Sequence, residues 1–340
     1  VLLQVPGEKN LVQARNTIEA LQLAELDNFF RDACLNVQRV DIDRVDDPNA
    51  AVVYPIILED RIELILSLPG KPLRHYTTPK SQTEINPILV DLPTLLQSPG
   101  KPDPDLLLYS QKLYDWLIRP AETDLKNSNI KTLVFVLDSS LRNIPMAILH
   151  DGNQYLVEQY SIALTPGMQL VKPQPLVRER ITALAAGVSE TRENLPPLPH
   201  VEAELQLIRS EVSSEELLNQ SFTSTAIQSE IKLSSFPIVH IATHGNFSSQ
   251  ADETYILAWD RRIKVKELDD VLQTGQLTRR EPLELLVLSA CETAQGDNRA
   301  ALGLAGVAVR AGARSTLATL WQVNDQSTAL LIGQFYKELV

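Results

Sequence analysis

The sequence predicts an α/β fold: a mainly parallel sheet with helices on both faces, preceded by a helical segment and an N-terminal half that contains a β-hairpin. Three observations lead there. From residue 181 onward, short apolar runs alternate with stretches of helical periodicity, and strand–helix–strand units with connections of this length build parallel sheets. Two of the runs, FPIVHIATHG (236–245) and EPLELLVLSACETAQGD (281–297), close on chemically capable side chains, His244 and Cys291. Before residue 176 strands and helices are mixed, and the β-type runs 51–58 and 62–68 are spaced to pair across Glu59-Asp60-Arg61.

The chain has 340 residues, 44% hydrophobic and 22% charged, which is enough for two compact units with their own cores. A formal net charge of −12 argues against a nucleic-acid partner and weakly favours basic ones. Two cysteines, Cys34 and Cys291, build neither a disulfide framework nor a four-cysteine zinc site, and they suit a reducing, cytoplasmic compartment. No apolar run approaches the roughly 18 residues of a membrane span, and no segment has signal-peptide form. The chain starts at Val1 and its last helix runs to the end without a stop signal, so a piece of a longer protein is expected.

In chain order, Leu11, Ala14, Ile18 and Leu21 form one helical stripe, and Leu23, Leu26, Phe30, Cys34 and Val37 form another. The offset between them predicts two helices joined near Gln22. Cys34 sits within the second stripe and reads as a core thiol. Residues 41–50 are an acidic linker. The hairpin follows, with a possible third strand over 73–78. Helices are predicted over 81–97, despite Pro87 and Pro93, and over 104–119, where Pro120 ends the second. Residues 132–137 read as a strand, followed by a hairpin that turns at Asp151-Gly152 and has 155–164 as its second arm. Pro173 and Pro175 mark a boundary.

Beyond it, strands are expected over 181–186, 217–218, 238–243, 283–288 and 314–320. A small hairpin is expected over 255–259 and 263–265. Helices are expected over 201–212, 225–233 (capped by Ser224), 302–310 and 325–339.

A thiol just past the C-terminal edge of a sheet strand lies where open α/β sheets hold their ligands. A cysteine nucleophile needs thiolate character and a base nearby. His244 precedes Cys291 by 47 positions and also ends an apolar run, so the two fit a Cys/His dyad on neighbouring strands. The backbone N–H groups of Gly245 and Cys291 are the candidate oxyanion donors. His240 and His244 share an i, i+4 spacing, but the residues around them favour a strand and no Glu follows His240. A metal site is not expected, and His240 reads as a packed, hydrogen-bonded residue beneath the dyad. His75, His150 and His200 fall in loop-like contexts. Gly303, Gly306 and Gly312 lack a phosphate-loop pattern and read as tight helix–sheet packing. No cofactor is expected.

HIATHG, LSACETAQGD and GLAGVAVRAGARSTLATLWQVND, together with LDSSLRNIPMAILHDG at 137–152, resemble a CHAT domain, a family of caspase-related cysteine peptidases that is also similar to the separase catalytic domain. The resemblance covers roughly residues 130–340. It implies a caspase-like sheet, His244 as base, Cys291 as nucleophile, and preceding helical TPR repeats. The organisation expected is therefore a helical segment at 1–48 (the end of a repeat region), the N-terminal half of the CHAT region at 49–175, and a catalytic half at 176–340. The function expected is cleavage of a protein substrate, regulated by a protein partner or by N-terminal TPR repeats. A non-catalytic interaction module of the same fold is the alternative.

The resemblance also implies that the ends of the first catalytic strand, the Cys strand and the last strand line the substrate pocket. These ends offer Ser189, Glu190, Ser289, Trp321 and Asp325, with Asp325 as the acid that reads an Arg side chain. The competing reading of Asp325 is an ordinary cap of the last helix.

Overall fold

In the computed structural model, residues 3, 7–30, 47–97, 104–137, 139–165, 167–168, 181–233, 236–248, 252–264, 266–268, 270, 272, 283–290, 313–319, 321 and 323–340 are described. The chain separates into two compact units, Val1–Asn28 with Asn36–Pro173, and Phe29–Leu35 with Gln174–Val340.

The first unit holds α1 (Glu8–Phe30), β1 (Ala50–Ile57), β2 (Ile62–Ser67), β3 (Arg74–Thr78), α2 (Gln82–Gln97), α3 (Pro104–Leu117), α4 (Glu122–Asn127), β4 (Thr132–Phe135), α5 (Leu156–Gln159) and β5 (Ser161–Leu164). Its sheet runs β3-β2-β1-β4-β5; β1, β4 and β5 are parallel, and β2 is antiparallel to both neighbours. Side chains alternate across the sheet. Ala51, Val53, Leu64, Leu66, Leu133 and Phe135 pack with Ile85, Leu92, Leu113 and Leu117 of α2 and α3 on one face. Val52, Tyr54 and Ile65 pack with Ala14 of α1 on the other.

The expected break near Gln22 is absent: α1 is one continuous helix. Its docked face is partly polar, which an apolar stripe cannot reveal. Arg15, Glu19 and Gln22 are buried beside Ala14, whereas Leu21 is exposed. Glu19 accepts from the Tyr54 hydroxyl at 2.9 Å, and the Gln22 amide donates to the Leu137 carbonyl at 2.9 Å. Arg142 donates to Gln22 and Glu25. Helix α2 is continuous through both prolines, because Ile85, Ile88, Leu89 and Leu92 anchor it while Pro87 faces solvent.

The second arm of the hairpin expected after Gly152 is also corrected. A single antiparallel bridge, His150 with Tyr155, closes the turn; α5 follows, and β5 enters the sheet parallel to β4. His75 lies in β3 rather than a loop.

The second unit holds β6 (Thr182–Gly187), α6 (Val201–Glu211), β7 (Ser213–Leu218), α7 (Ser224–Leu233), β8 (Ile238–Thr243), β9 (Gly245–Asn246), β10 (Tyr255–Leu257), β11 (Arg262–Lys264), β12 (Leu285–Ala290), β13 (Ser315–Ala318) and α8 (Asp325–Leu339). Its main sheet, β13-β12-β8-β6-β7, is parallel at every pairing. Leu184, Ala186, Val239, Ile241, Leu286 and Leu288 pack on Ile227 and Ile231 of α7. On the opposite face Ala183, Ile238, Leu285 and Val287 meet Ile208 of α6 and Ile332 and Tyr336 of α8. This is the predicted mainly parallel sheet with helices on both faces.

Two details differ from expectation. β7 begins at Ser213, and Thr223 rather than Ser224 caps α7, accepting from the Ala226 N–H at 3.1 Å. Cys34, the expected helix at 302–310, and Gly303, Gly306 and Gly312 lie outside the described residues.

Candidate functional site

The site grows from β8, the central strand of the parallel sheet. Its even-numbered residues face α6 and α8, and the next position on that face is His244. His240, four residues earlier, is fully buried. Its Nε2 lies 2.9 Å from the Glu204 carboxylate of α6, and its Nδ1 lies 3.3 Å from the Tyr336 hydroxyl of α8. Both ring nitrogens are therefore engaged by protein groups, as the packed role expected of this residue requires. Burial pushes the Tyr336 hydroxyl pKa up, and the Glu204 charge adds to the rise.

His244 is also buried, but its environment differs. Its Nε2 lies 2.8 Å from the Pro196 carbonyl. A carbonyl only accepts, so Nε2 carries the hydrogen, and in the neutral ring the lone pair sits on Nδ1. That Nδ1 is buried and has no hydrogen-bond partner among the described residues. The Pro196 carbonyl thus selects one tautomer, with the lone pair of Nδ1 unengaged among the described residues.

Gly245 opens β9, opposite Ile256 of β10. The Leu257 N–H donates to the His244 carbonyl at 2.8 Å. Antiparallel ladders alternate bonded and non-bonded pairs, which leaves the Gly245 N–H outside the β9–β10 ladder.

On the neighbouring strand, Ala290 pairs with Thr243 and Ser289 with Ala242. The residue before Cys291 is therefore opposite the residue before His244. Cys291 itself lies outside the described residues. Ser289 is buried at the C-terminal end of β12.

Two of the other expected pocket residues, Ser189 and Glu190, are linked through Asn219. The Ser189 hydroxyl lies 2.8 Å from the Glu202 carboxylate, and the Ser189 N–H donates to the Asn219 side-chain oxygen at 2.8 Å. The Asn219 amide also reaches the exposed Glu190 at 3.4 Å. Asn219 adopts a left-handed backbone conformation (φ 51°), which an asparagine tolerates. Trp321 is half-buried.

Asp325 is not the cap of its own helix. Asn324 fills that role and accepts from the Ser327 N–H at 2.9 Å. The Asp325 carboxylate instead accepts from the His200 N–H at 2.8 Å, at the start of α6. Pro196, whose carbonyl orients His244, is missed by the sequence reading. A backbone carbonyl has no residue-type signature, so no sequence signal could have found it. Among the described residues no group of three or more His, Cys, Asp or Glu side chains is placed to hold a metal ion.

Residues 107–340 match the CHAT domain family. Over 286 residues the chain is 24% identical to tetratricopeptide repeat protein 28 of Homo sapiens, covering 67% of this chain and 11% of that protein. The chain thus spans about a tenth of the length of the curated relative it matches. No helix among the described residues is long and apolar enough to cross a membrane.

Proposed function

The chain belongs to the CHAT domain family, and from that premise we propose that it is a cysteine endopeptidase that cleaves a protein substrate with a Cys291–His244 dyad. The observation that carries this reading is the state of His244: buried, held by the Pro196 carbonyl through Nε2, with no partner for Nδ1 among the described residues, and directly after the strand that pairs with the one leading to Cys291. His244 Nδ1 accepts the thiol proton, and the Cys291 sulfur attacks the scissile carbonyl. The N–H groups of Gly245 and Cys291 receive the oxyanion. The imidazolium then protonates the leaving amine, and water, deprotonated by His244, hydrolyses the thioester. No cofactor enters this sequence.

The residue before the scissile bond is basic, most favourably Arg. Glu190 and Asp325 supply negative charge near the C-terminal end of the parallel sheet, with Ser189, Ser289 and Trp321 as neighbouring contacts. Turnover is controlled by a protein partner or by TPR repeats preceding this segment, which the name of the matched human relative supports. Two cysteines in 340 residues suit a cytoplasmic enzyme.

Proteome-wide cleavage-site mapping with wild type and Cys291→Ala tests the proposal. Neo-termini after Arg or Lys that vanish in the variant are expected; an unchanged set of cleavages would remove the dyad from the mechanism.

A further inference from the structure

The His244 ring is oriented by the Pro196 carbonyl, so whatever fixes that carbonyl fixes the base. Pro196 opens the segment Pro196-Pro197-Leu198-Pro199-His200. Three of its five residues have φ locked by the pyrrolidine ring, and residues that precede a proline are restricted as well. The segment therefore behaves as a strut rather than a flexible loop. Its prolines lack an N–H, leaving Leu198 and His200 as its backbone donors. The Leu198 N–H donates to the Ser189 carbonyl at 2.9 Å, just past β6. The His200 N–H donates to the Asp325 carboxylate at 2.8 Å, at the start of α8.

The strut is thus clamped to the sheet by a main-chain bond and to α8 by one side chain. That carboxylate also sits at the N-terminal ends of both α6 and α8, where helix dipoles favour negative charge. His200, the residue preceding α6, makes no side-chain cap bond of its own.

Resting on the reading of His244 as base, we propose that Asp325 is a positioning residue for that base, acting through the proline strut 196–200 on the Pro196 carbonyl. This is a second role for a residue assigned above to substrate charge, and the two roles separate by substitution. Asp325→Asn keeps an oxygen that can accept the His200 N–H but removes the charge. Asp325→Ala removes both. Asp325→Leu keeps the bulk of the asparagine and offers no acceptor.

Two-bond proton–nitrogen correlation spectra of the full chain with ¹⁵N-histidine report the tautomer of His244 directly. Wild type and Asp325→Asn are expected to show one tautomer, with a pyrrole-like Nε2 and a pyridine-like Nδ1. Asp325→Ala and Asp325→Leu are expected to show averaged nitrogen shifts. Peptide turnover by Asp325→Ala is expected to fall roughly tenfold in kcat below Asp325→Asn, a fraction of the ~10²–10⁴ contributed by general acid–base catalysis.

A wild-type tautomer pattern in Asp325→Ala overturns the proposal, and so does equal loss of the pattern in Asp325→Asn. If Asp325→Ala does not fold, Asp325→Leu decides by the same spectrum. Failure of the peptidase reading is read separately: turnover that survives Cys291→Ala would sink that reading while the tautomer comparison still decides this one.

Discussion

His240 and His244 sit four residues apart, one within β8 and the other directly after it, yet their surroundings differ. His240 has a partner on each nitrogen, Glu204 on one side and Tyr336 on the other. His244 has a partner on one nitrogen and, among the described residues, none on the other, which is also buried. Buried polar atoms are ordinarily satisfied, so the saturated histidine is part of the scaffold and the unsaturated one is the candidate for chemistry. The first unit repeats the scaffold pattern at Glu63, which is buried and accepts from Arg61, Thr77 and His75.

The contrast breaks most visibly if the two histidines respond alike to truncation. His244→Ala is expected to lower peptide turnover by about 10³-fold or more. Its effect on unfolding free energy is expected to be about 1–2 kcal/mol, from the Pro196 carbonyl left unpaired. Glu204→Ala should do the reverse at the scaffold histidine. It leaves the His240 Nε2 buried without its carboxylate partner, at roughly 1–3 kcal/mol by urea denaturation. The pair Glu204→Leu with His240→Leu should recover much of that loss, because it removes both polar groups together. A double variant as unstable as Glu204→Ala would mean that packing, not the unpaired group, dominates there.

A comparable effect tests how tightly the site is built. Gly187 ends β6 where α6 crosses it. A Cβ there would approach the Val201 side chain to 2.6 Å and the Ala242 carbonyl to 3.1 Å. Gly187→Ala is expected to destabilise by about 1–3 kcal/mol; a neutral result would show that α6 can move away from the sheet without penalty.

Glu63 gives the smallest effect and a pH signature. Burial alone would push its carboxyl up, but hydrogen bonds from Arg61, Thr77 and His75 hold it below its ordinary 4.5. A group depressed on folding contributes stability that is complete above the unfolded value and lost as pH falls through the folded one. Acid denaturation followed downward from pH 4.5 should therefore be shallower in Glu63→Gln than in wild type. Parallel acid limbs would contradict the assignment.

Much of this organisation was legible in the sequence, for a physical reason in each case. Strands buried on both faces read as continuous apolar runs, so β8 and β12 could be placed to within two residues. The expected two-helix reading of α1 failed because Glu19 and Gln22 are buried through partners far along the chain, Tyr54, Leu137 and Arg142. Local periodicity carries no trace of such partners. The Pro196 carbonyl and the bond from Asp325 to His200 were invisible for the same reason: both depend on the main chain of a distant segment.

The central claim is that His244 activates Cys291, and thiol labelling tests it most directly. A peptide electrophile with a basic residue at its reactive end, followed by mass mapping, should modify Cys291 in wild type and spare Cys34. His244→Ala should slow that modification by about 10²-fold or more. Equal labelling of the two cysteines, or a Cys291 rate unchanged by His244→Ala, would contradict the account.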